Sequence, residues 1–263
     1  MSTTAKQGTR LPVKMTRFAL FTGILAIILL VIAGPAYRLQ VLPLLPAMLA
    51  AAISFLLFGV SFIVGAIGLL AGGRLAFERS RAAIPVIALS LVLSVVAGVW
   101  IARGIGTPPI HDVSTDLQDP PAFKNIVALR AAADAVNPVE YQRTQSIQGK
   151  QLDVSNAQRR AYPDIRPLAL RQSPAQAFQM AHQVARDMGW DIVAALPSEG
   201  RIEATDATWY FGFKDDVVIR VEPGPNGSRV DVRSESRVGL GDAGTNARRI
   251  SAYLSKLRQM AAG

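Results

Sequence analysis

Residues 41–74, VLPLLPAMLAAAISFLLFGVSFIVGAIGLLAGGR, decide the fold class, because no charged side chain interrupts them before the final position. A helix needs about 20 apolar residues to cross the hydrocarbon core of a bilayer. Pro46 suits the first turn of a helix and Gly72-Gly73 suit its end. The pattern therefore predicts one membrane span at about 46–71, since two crossings would need a polar turn that this run lacks.

Two further apolar runs flank this one, and each fits a single crossing. They predict spans at about 18–36 and 83–102, so that residues 1–104 form a membrane region with three transmembrane helices. The first run also has features of a signal peptide, but it is longer than the usual h-region and Pro35 lies where cleavage would occur. We expect this run to remain as a span, with cleavage as the alternative.

The positive charge of the chain lies almost entirely in the membrane region. The net charge is +9; residues 1–103 contain nine Lys or Arg and one acidic residue, whereas residues 104–263 contain 19 basic and 18 acidic residues. A basic chain can indicate nucleic-acid binding, but here the second part is nearly neutral, so we expect no nucleic-acid partner. The chain has no cysteine, which excludes disulfides, thiolate metal sites and cysteine nucleophiles.

Basic residues at the ends of the spans predict the orientation. Arg38 and Arg103 lie on one side, and seven bases lie on the other: Lys6, Arg10, Lys14, Arg17, Arg74, Arg79 and Arg81. Because cytoplasmic loops carry an excess of Lys and Arg, the sequence predicts a multi-pass protein of the bacterial inner membrane with a cytoplasmic N-terminus. The lipid bilayer is then one partner, and residues 105–263 form a periplasmic domain.

Residues 105–263 predict an extracytoplasmic α+β domain, with an antiparallel sheet of about four strands and helices packed on it. Ser173-Pro174 and Gly189 bound one helix, and alternating apolar residues predict the strands. The other expected elements are a weak helix at 123–136, an irregular stretch at 137–172, strands at 190–196, 201–213, 217–222 and 229–238, and a closing helix at 243–260.

Several short phrases recur in order along this domain: IHDV (110–113), DPPAF (119–123), AYPDI (161–165), GRIEA (200–204), FKDDV (213–217) and VRSESRVG (232–239). In these phrases the domain resembles a bacterial and plastid family known as domain of unknown function 1499. The resemblance covers the whole C-terminal domain and does not extend to the three spans. It implies a family membership but no established activity.

Charged residues of the last predicted strand suggest an anion site. Arg233 and Arg237 share a face with other charged residues, and the simpler interpretation of this pattern is a solvated face of cross-strand ion pairs. In the alternative, either arginine meets a phosphate or carboxylate together with the first amides of the final helix. Asp242, Asn246 and Arg249 belong to that end of the helix and join the candidate ligand-binding residues.

His111, Asp112 and Asp116 are the remaining ligand-binding candidates. Imidazole and carboxylate groups suit zinc or manganese, but no further ligand with a matching spacing is visible, so we expect no metal. GLGDAG (239–244) fits a dinucleotide-binding pattern, yet the preceding strand alternates with charges and no second parallel strand follows. We therefore expect a turn and no cofactor there. Trp209, Tyr210, Phe211 and Phe213 are expected to pack in the core.

The sequence leaves two functions open. In the first, the chain is a membrane-anchored cell-envelope protein whose periplasmic domain binds an anionic ligand or an envelope protein. In the alternative it is a membrane-surface enzyme that acts on an envelope molecule, with His111, Asp112 and Asp116 beside the arginines. No set of nucleophile, base and orienting residue can be assembled from the sequence, so no catalytic residue is assigned.

Overall fold

A computed structural model describes residues 10–133, 135–147 and 149–263. The chain divides into two compact units. The membrane unit contains Met1–Arg103 together with Trp209–Gly212, and the C-terminal domain contains Gly104–Thr208 and Phe213–Gly263. Lys6, one of the bases that predict the orientation, lies outside the described residues.

Three helices are long and apolar enough to cross a membrane: α1 (Arg10–Arg38), α2 (Leu44–Arg79) and α3 (Ile84–Ile105). The predicted three-helix region is confirmed. Helix α2 begins two residues before Pro46, which is tolerated in the first turn because amides there have no partner inside a helix. At Gly73 the backbone leaves the helical region, with a φ of 54°, and the helical residues then resume.

Small and hydroxyl-bearing residues lie where the spans meet. The Ser61 hydroxyl donates to the backbone carbonyl of Ala19 at 2.8 Å, and the Ser90 hydroxyl donates to Ser61 at 3.1 Å. Gly23 lies against Val86 so closely that a Cβ at this glycine would overlap that side chain. Close approach of this kind is what small residues permit in membrane helices.

The C-terminal domain contains the predicted α+β arrangement, with more elements than expected. In chain order these are β1 (Asp112–Ser114), α4 (Val127–Ala132), β2 (Thr144–Ile147), β3 (Lys150–Asp153), α5 (Val154–Ala161), β4 (Leu168–Leu170), α6 (Pro174–Asp187), β5 (Asp191–Leu196), β6 (Arg201–Ala207), β7 (Lys214–Gly224), β8 (Gly227–Ser236) and α7 (Thr245–Ala262).

The main sheet is antiparallel and has the order β1-β8-β7-β6-β5, with β4 also paired to β8. Residues 233–235 of β8 pair with β1, and residues 228–230 pair with β4. Two short strands therefore cover successive halves of one edge of β8. Each has three residues, which is too short for an alternating pattern to be visible in the sequence.

The predicted strand at 201–213 is too long. It ends at Ala207, and Thr208 closes a loop: its amide donates to the Phe213 carbonyl at 2.8 Å, and its hydroxyl accepts from the Phe213 amide at 2.9 Å. Residues 214–216, which lie between two of the predicted strands, instead begin β7. Trp209 is 87% exposed, so the expectation that it packs in the core is wrong.

The stretch at 137–172, expected to be irregular, contains the β2–β3 hairpin, α5 and β4. Asp153 ends the hairpin and caps α5 by accepting a hydrogen bond from the Asn156 amide at 2.9 Å. The hairpin strands are exposed or half-buried, so they lack the apolar alternation that predicts a strand. The weak helix expected at 123–136 is shorter than predicted and is limited to α4.

Helices α6 and α7 pack on one face of the main sheet and form the core with it. Ser173 caps the start of α6, as the Ser-Pro signal predicts, and it forms a capping box with Gln176. Trp190 stacks on Tyr253 with 5.2 Å between ring centroids, and the Tyr253 hydroxyl donates to the Ala181 carbonyl at 2.9 Å. The sheet side chains buried beneath them are Ile202, Ala204, Val217, Ile219, Val221, Val230 and Val232.

We expect Gly200→Ala to destabilise the protein far more than Gly189→Ala. Both glycines have a positive φ, 59° and 77°, which costs other residues roughly 1–2 kcal/mol. Only at Gly200 would the new Cβ overlap a backbone atom, the Val221 carbonyl oxygen, and overpacking adds about 1–3 kcal/mol.

The measurement is chemical unfolding of the full-length protein in detergent. Trp190 fluorescence reports on the core, in a Trp100→Phe, Trp209→Phe background. A loss of unfolding free energy in Gly200→Ala no larger than that in Gly189→Ala would show that the Val221 contact is not tight.

Candidate functional site

The charged face of the main sheet is largely buried, although Arg229 near the start of β8 is partly exposed. Val230 and Val232 on β8 point toward the helices. Arg233 and Glu235 point to the opposite face, and they are 1% and 0% exposed. The expectation of a solvated face is therefore wrong, because residues 115–133 and 135–139 lie over it. We call these residues the covering segment.

Arg233 is fully engaged by protein groups. Its Nε and Nη2 atoms donate to Asp112 at 3.0 and 2.8 Å, and Nη2 also donates to the Val139 carbonyl at 2.9 Å. The guanidinium carbon lies 4.8 Å from the Phe123 ring centroid and 5.5 Å from that of Tyr141. Arg233 thus ties β8 to β1 and to the covering segment.

A second buried cluster joins the covering segment to β7. Asp216 accepts from Arg130 Nη1 at 2.8 Å and from Arg237 Nε and Nη2 at 2.9 and 2.8 Å. Arg130 Nη2 also donates to Glu235 at 3.1 Å. Burial and the charge of Asp112 raise the pKa of Glu235 to about 9.

Glu203 holds the middle of the covering segment. Its fully buried carboxylate accepts the backbone amides of Lys124, Asn125 and Ile126, at 2.8, 2.9 and 2.8 Å. A carboxylate with several amide donors is well satisfied without a cation. This one side chain therefore fixes three successive residues that form no helix or strand.

Asp116 lies at the other end of the charged face. It accepts from Arg229 Nη2 at 2.6 Å and is 3.5 Å from Arg220 Nη2. Although burial opposes it, hydrogen bonds from the amides of Asp119 and Gln118 lower the pKa of Asp116. Asp116 is therefore an ionised residue that anchors a turn and pairs with two arginines.

The start of α7 gathers four of the predicted site residues. Asp242 accepts the amides of Gly244 and Asn246 at 2.8 and 2.6 Å. Asn246 Nδ2 donates to the His111 carbonyl at 2.9 Å, and Asn246 Oδ1 accepts from Arg249 at 2.6 Å. The Asp242 carboxylate thus accepts hydrogen bonds from the backbone amides to which the predicted anion would have bound.

Arg249 is itself paired on the same side of the sheet as the core helices. It donates to Asp215 at 2.6 Å and to Asp206 at 2.8 Å. Asp215 and Asp216 are neighbours on β7 and point to opposite faces, so each serves a different cluster. Arg249 and its two carboxylate partners therefore form a charged cluster at one end of the apolar core.

His111, Asp112 and Asp116 do not converge on one point. Asp112 pairs with Arg233, and Asp116 pairs with Arg229. Burial lowers the pKa of His111, so its imidazole is neutral, and its Nδ1 has no hydrogen-bond partner among the described residues. Among all the residues that the structure describes, no group of three or more His, Asp or Glu could hold a metal ion.

Sequence reasoning missed two clefts beside α5. The first, about 340 Å³, is lined by Thr115, Leu117, Gln158, Arg159, Tyr162, Pro163, Ile165 and Arg166. The second, about 410 Å³, is lined by Ile105, Gly106, Thr107, Pro108, Leu152, Ala157, Arg160 and Ala161. The volumes are in the lower part of the range for small-molecule sites.

The α5 helix is fixed against the sheet by one side chain. Gln158 Nε2 donates to the Ser114 carbonyl at 2.7 Å, and Gln158 Oε1 accepts from the Ser114 amide at 3.1 Å. The amide side chain thereby continues the hydrogen bonding of β1 as a strand would. This contact holds α5 against β1, and α5 forms one wall of the first cleft.

The arginines at these clefts differ from those of the sheet. Arg159, Arg160 and Arg166 are exposed and form no ion pair with any residue that the structure describes. Residues 154–171 contain four arginines and one acidic residue, and this local excess of charge is the signal that could have indicated the site. Tyr162 lines the first cleft, and its buried hydroxyl has no hydrogen-bond partner among the described residues.

We expect Asp216→Ala to cost about 3–5 kcal/mol of unfolding free energy, because it removes the carboxylate paired with the buried guanidinium of Arg237 and one of the two carboxylates paired with Arg130. Glu222→Ala on the same strand is the matched control. Glu222 is half-exposed and lies 3.7 Å from Arg220, and exposed pairs contribute about 1 kcal/mol or less. Unfolding of the full-length protein, followed by Trp190 fluorescence as above, gives both values. Equal losses would mean that the buried cluster contributes no more than a surface pair.

Comparison with known proteins identifies the family of this domain. A family model described as "Protein of unknown function (DUF1499)" matches residues 112–257, which extend from β1 into α7. No curated protein and no solved structure gives a match to the chain. The matched residues make up more than half of the chain and include both clusters on the charged face and one wall of the first cleft. The chain therefore belongs to the DUF1499 family.

Proposed function

We propose that the protein is a membrane-anchored cell-envelope protein whose C-terminal domain binds an anionic ligand in the first cleft beside α5. The observation that carries the proposal is the pairing of the arginines. Those on the charged face of the sheet are neutralised by carboxylates, whereas Arg159 and Arg166 line an open cleft without an ion pair among the described residues.

The chemistry of the cleft suits a phosphate or carboxylate group. A guanidinium group binds these anions through two parallel hydrogen bonds, and Arg159 and Arg166 supply two such groups at one opening. Tyr162 and Thr115 add hydroxyl groups to the lining, and Ile165 adds an apolar surface. The cleft therefore combines charge for an anionic group with room for a small uncharged part of the ligand.

The predicted site residues support this cleft indirectly. Asp112, Arg233, Arg237 and Asp216 hold the covering segment on the sheet, and Thr115 at the start of that segment lines the cleft. In our proposal these buried groups position the cleft wall and do not contact the ligand. We thus keep the anionic ligand that the sequence suggests, but we place its binding site at exposed arginines of α5 and of the residues that follow α5.

We also propose that the membrane is the bacterial inner membrane and that the C-terminal domain is periplasmic. Arg10, Lys14 and Arg17 precede or begin the first span, and Arg74 and Arg81 lie between the second and third. This distribution supports a cytoplasmic N-terminus. Three crossings then put the domain on the opposite side, facing envelope molecules.

The ligand proposal predicts that Arg159→Ala, Arg166→Ala in the full-length protein weakens binding of glycerol 3-phosphate about tenfold or more. The loss corresponds to the removal of charge-assisted hydrogen bonds, each of about 1.5–3 kcal/mol. Isothermal titration calorimetry of the detergent-solubilised protein measures the change, and glycerol is the neutral counterpart of the probe.

Arg186→Ala is the matched control, since Arg186 is an exposed arginine on α6 away from both clefts. The affinity of the Arg186→Ala protein for glycerol 3-phosphate should equal that of the unaltered protein. The proposal is wrong if the unaltered protein does not bind the phosphate, if glycerol binds as well, or if Arg186→Ala weakens binding as much as the double variant.

The orientation has a separate test that uses the absence of native cysteine. Ala82→Cys lies between α2 and α3, and Ser198→Cys lies between β5 and β6; both positions are exposed. In cells with only the outer membrane permeabilised, a membrane-impermeant maleimide should label Ser198→Cys and spare Ala82→Cys until the inner membrane is opened. The reverse pattern would place the domain in the cytoplasm.

A further inference from the structure

The loop between β6 and β7 is rich in aromatic residues. Residues 208–213 read TWYFGF, and Thr208 closes the loop through its hydrogen bonds with Phe213. Trp209 is 87% exposed, the largest exposed fraction of any large hydrophobic side chain among the described residues. An ordered loop that presents a tryptophan in this way leaves a large apolar surface uncovered by protein.

Trp209–Gly212 belong to the membrane unit. Within that unit, Arg38 Nη1 donates to the Trp209 carbonyl at 3.1 Å, and the Tyr210 hydroxyl donates to the Leu30 carbonyl. Tyr210 also lies against Gly34, where a Cβ would meet its ring at 2.7 Å. The loop therefore packs along the last two turns of α1.

The end of α1 indicates how deep the loop lies relative to the bilayer. Arg38 is its last residue, and no charged side chain lies between it and Arg17. The 20 uncharged residues between them extend about 30 Å at 1.5 Å per residue, which equals the thickness of the hydrocarbon core. Arg38 and the loop beside it are therefore at the level of the lipid headgroups.

We propose that the 208–213 loop is an interfacial anchor, with the Trp209 side chain inserted among phospholipid headgroups. Trp and Tyr are enriched at this depth because the ring has an apolar body and a polar N–H or O–H group. The loop thus adds a membrane contact to the three spans. Its partner is the lipid interface itself, and the proposal does not depend on the ligand of the α5 cleft.

The test uses tryptophan fluorescence of the full-length protein in phospholipid vesicles. Trp100 lies on α3 and would itself be quenched by lipid, so the comparison is between Trp100→Phe and Trp100→Phe, Trp209→Phe. The remaining Trp190 is buried in the core, and the difference between the two spectra isolates the emission of Trp209. The quenchers are lipids brominated near the headgroup end or near the methyl end of the acyl chain, and aqueous iodide.

We expect the Trp209 emission to be blue-shifted, and to be quenched more strongly by the shallow than by the deep brominated lipid. Iodide should quench it less than it quenches free tryptophan amide. Two outcomes overturn the proposal. Full iodide quenching without brominated-lipid quenching would place Trp209 in water, and protection from both kinds of quencher would show that protein covers it.

Discussion

The sheet of the C-terminal domain has charged side chains on a face that is closed to water, and most of the domain is arranged to pair them. A charge removed from water costs several kcal/mol unless a counter-charge and hydrogen bonds replace the solvent. Arg130 and the amides at 124–126 supply these partners from the covering segment. Backbone and side-chain groups of the covering segment form hydrogen bonds with the sheet instead of with each other, which is why the segment contains little regular structure.

This arrangement divides the arginines of the domain into two populations. Arg233 and Arg237 have little capacity left for a ligand, since their guanidinium groups are buried against carboxylates. Arg159 and Arg166 have solvent-facing groups beside a cleft. The sheet is polar on one side and apolar on the other, so it acts as a rigid partition between a charged layer and a helix-packed core.

Elements with a long continuous or periodic apolar pattern were predictable from the sequence, whereas the eight-residue helix α5 was not. The three spans, α6 and the four long strands follow from continuous or periodic apolar runs, and the family followed from its short phrases. The end of β6 was not predictable, because WYFGF continues the apolar pattern beyond Ala207 and only the Thr208 hydrogen bonds terminate the strand. The three-residue strands β1 and β4 are likewise defined by pairing with β8 rather than by their own composition.

The candidate site was predictable only as a set of residue types. Alternation correctly put Arg233 and Arg237 on one face, but whether that face met water depended on residues about 100 positions earlier in the chain, such as Arg130. Local sequence carries no information about such a contact. The excess of arginine in residues 154–171 was visible, yet the clefts it borders form only when Gln158 fixes α5 against β1.

The pairing of the first strand with the last has a consequence for biosynthesis. Asp112 and Arg233 are 121 positions apart, and at 5–20 residues per second their synthesis is separated by roughly 6–24 s. During that interval the nascent chain has a carboxylate-bearing edge segment with no strand to receive it. The domain therefore closes late, in a step that joins both ends of its sequence, and a chain truncated before β8 would lack the pairing partner of β1, β4 and β7.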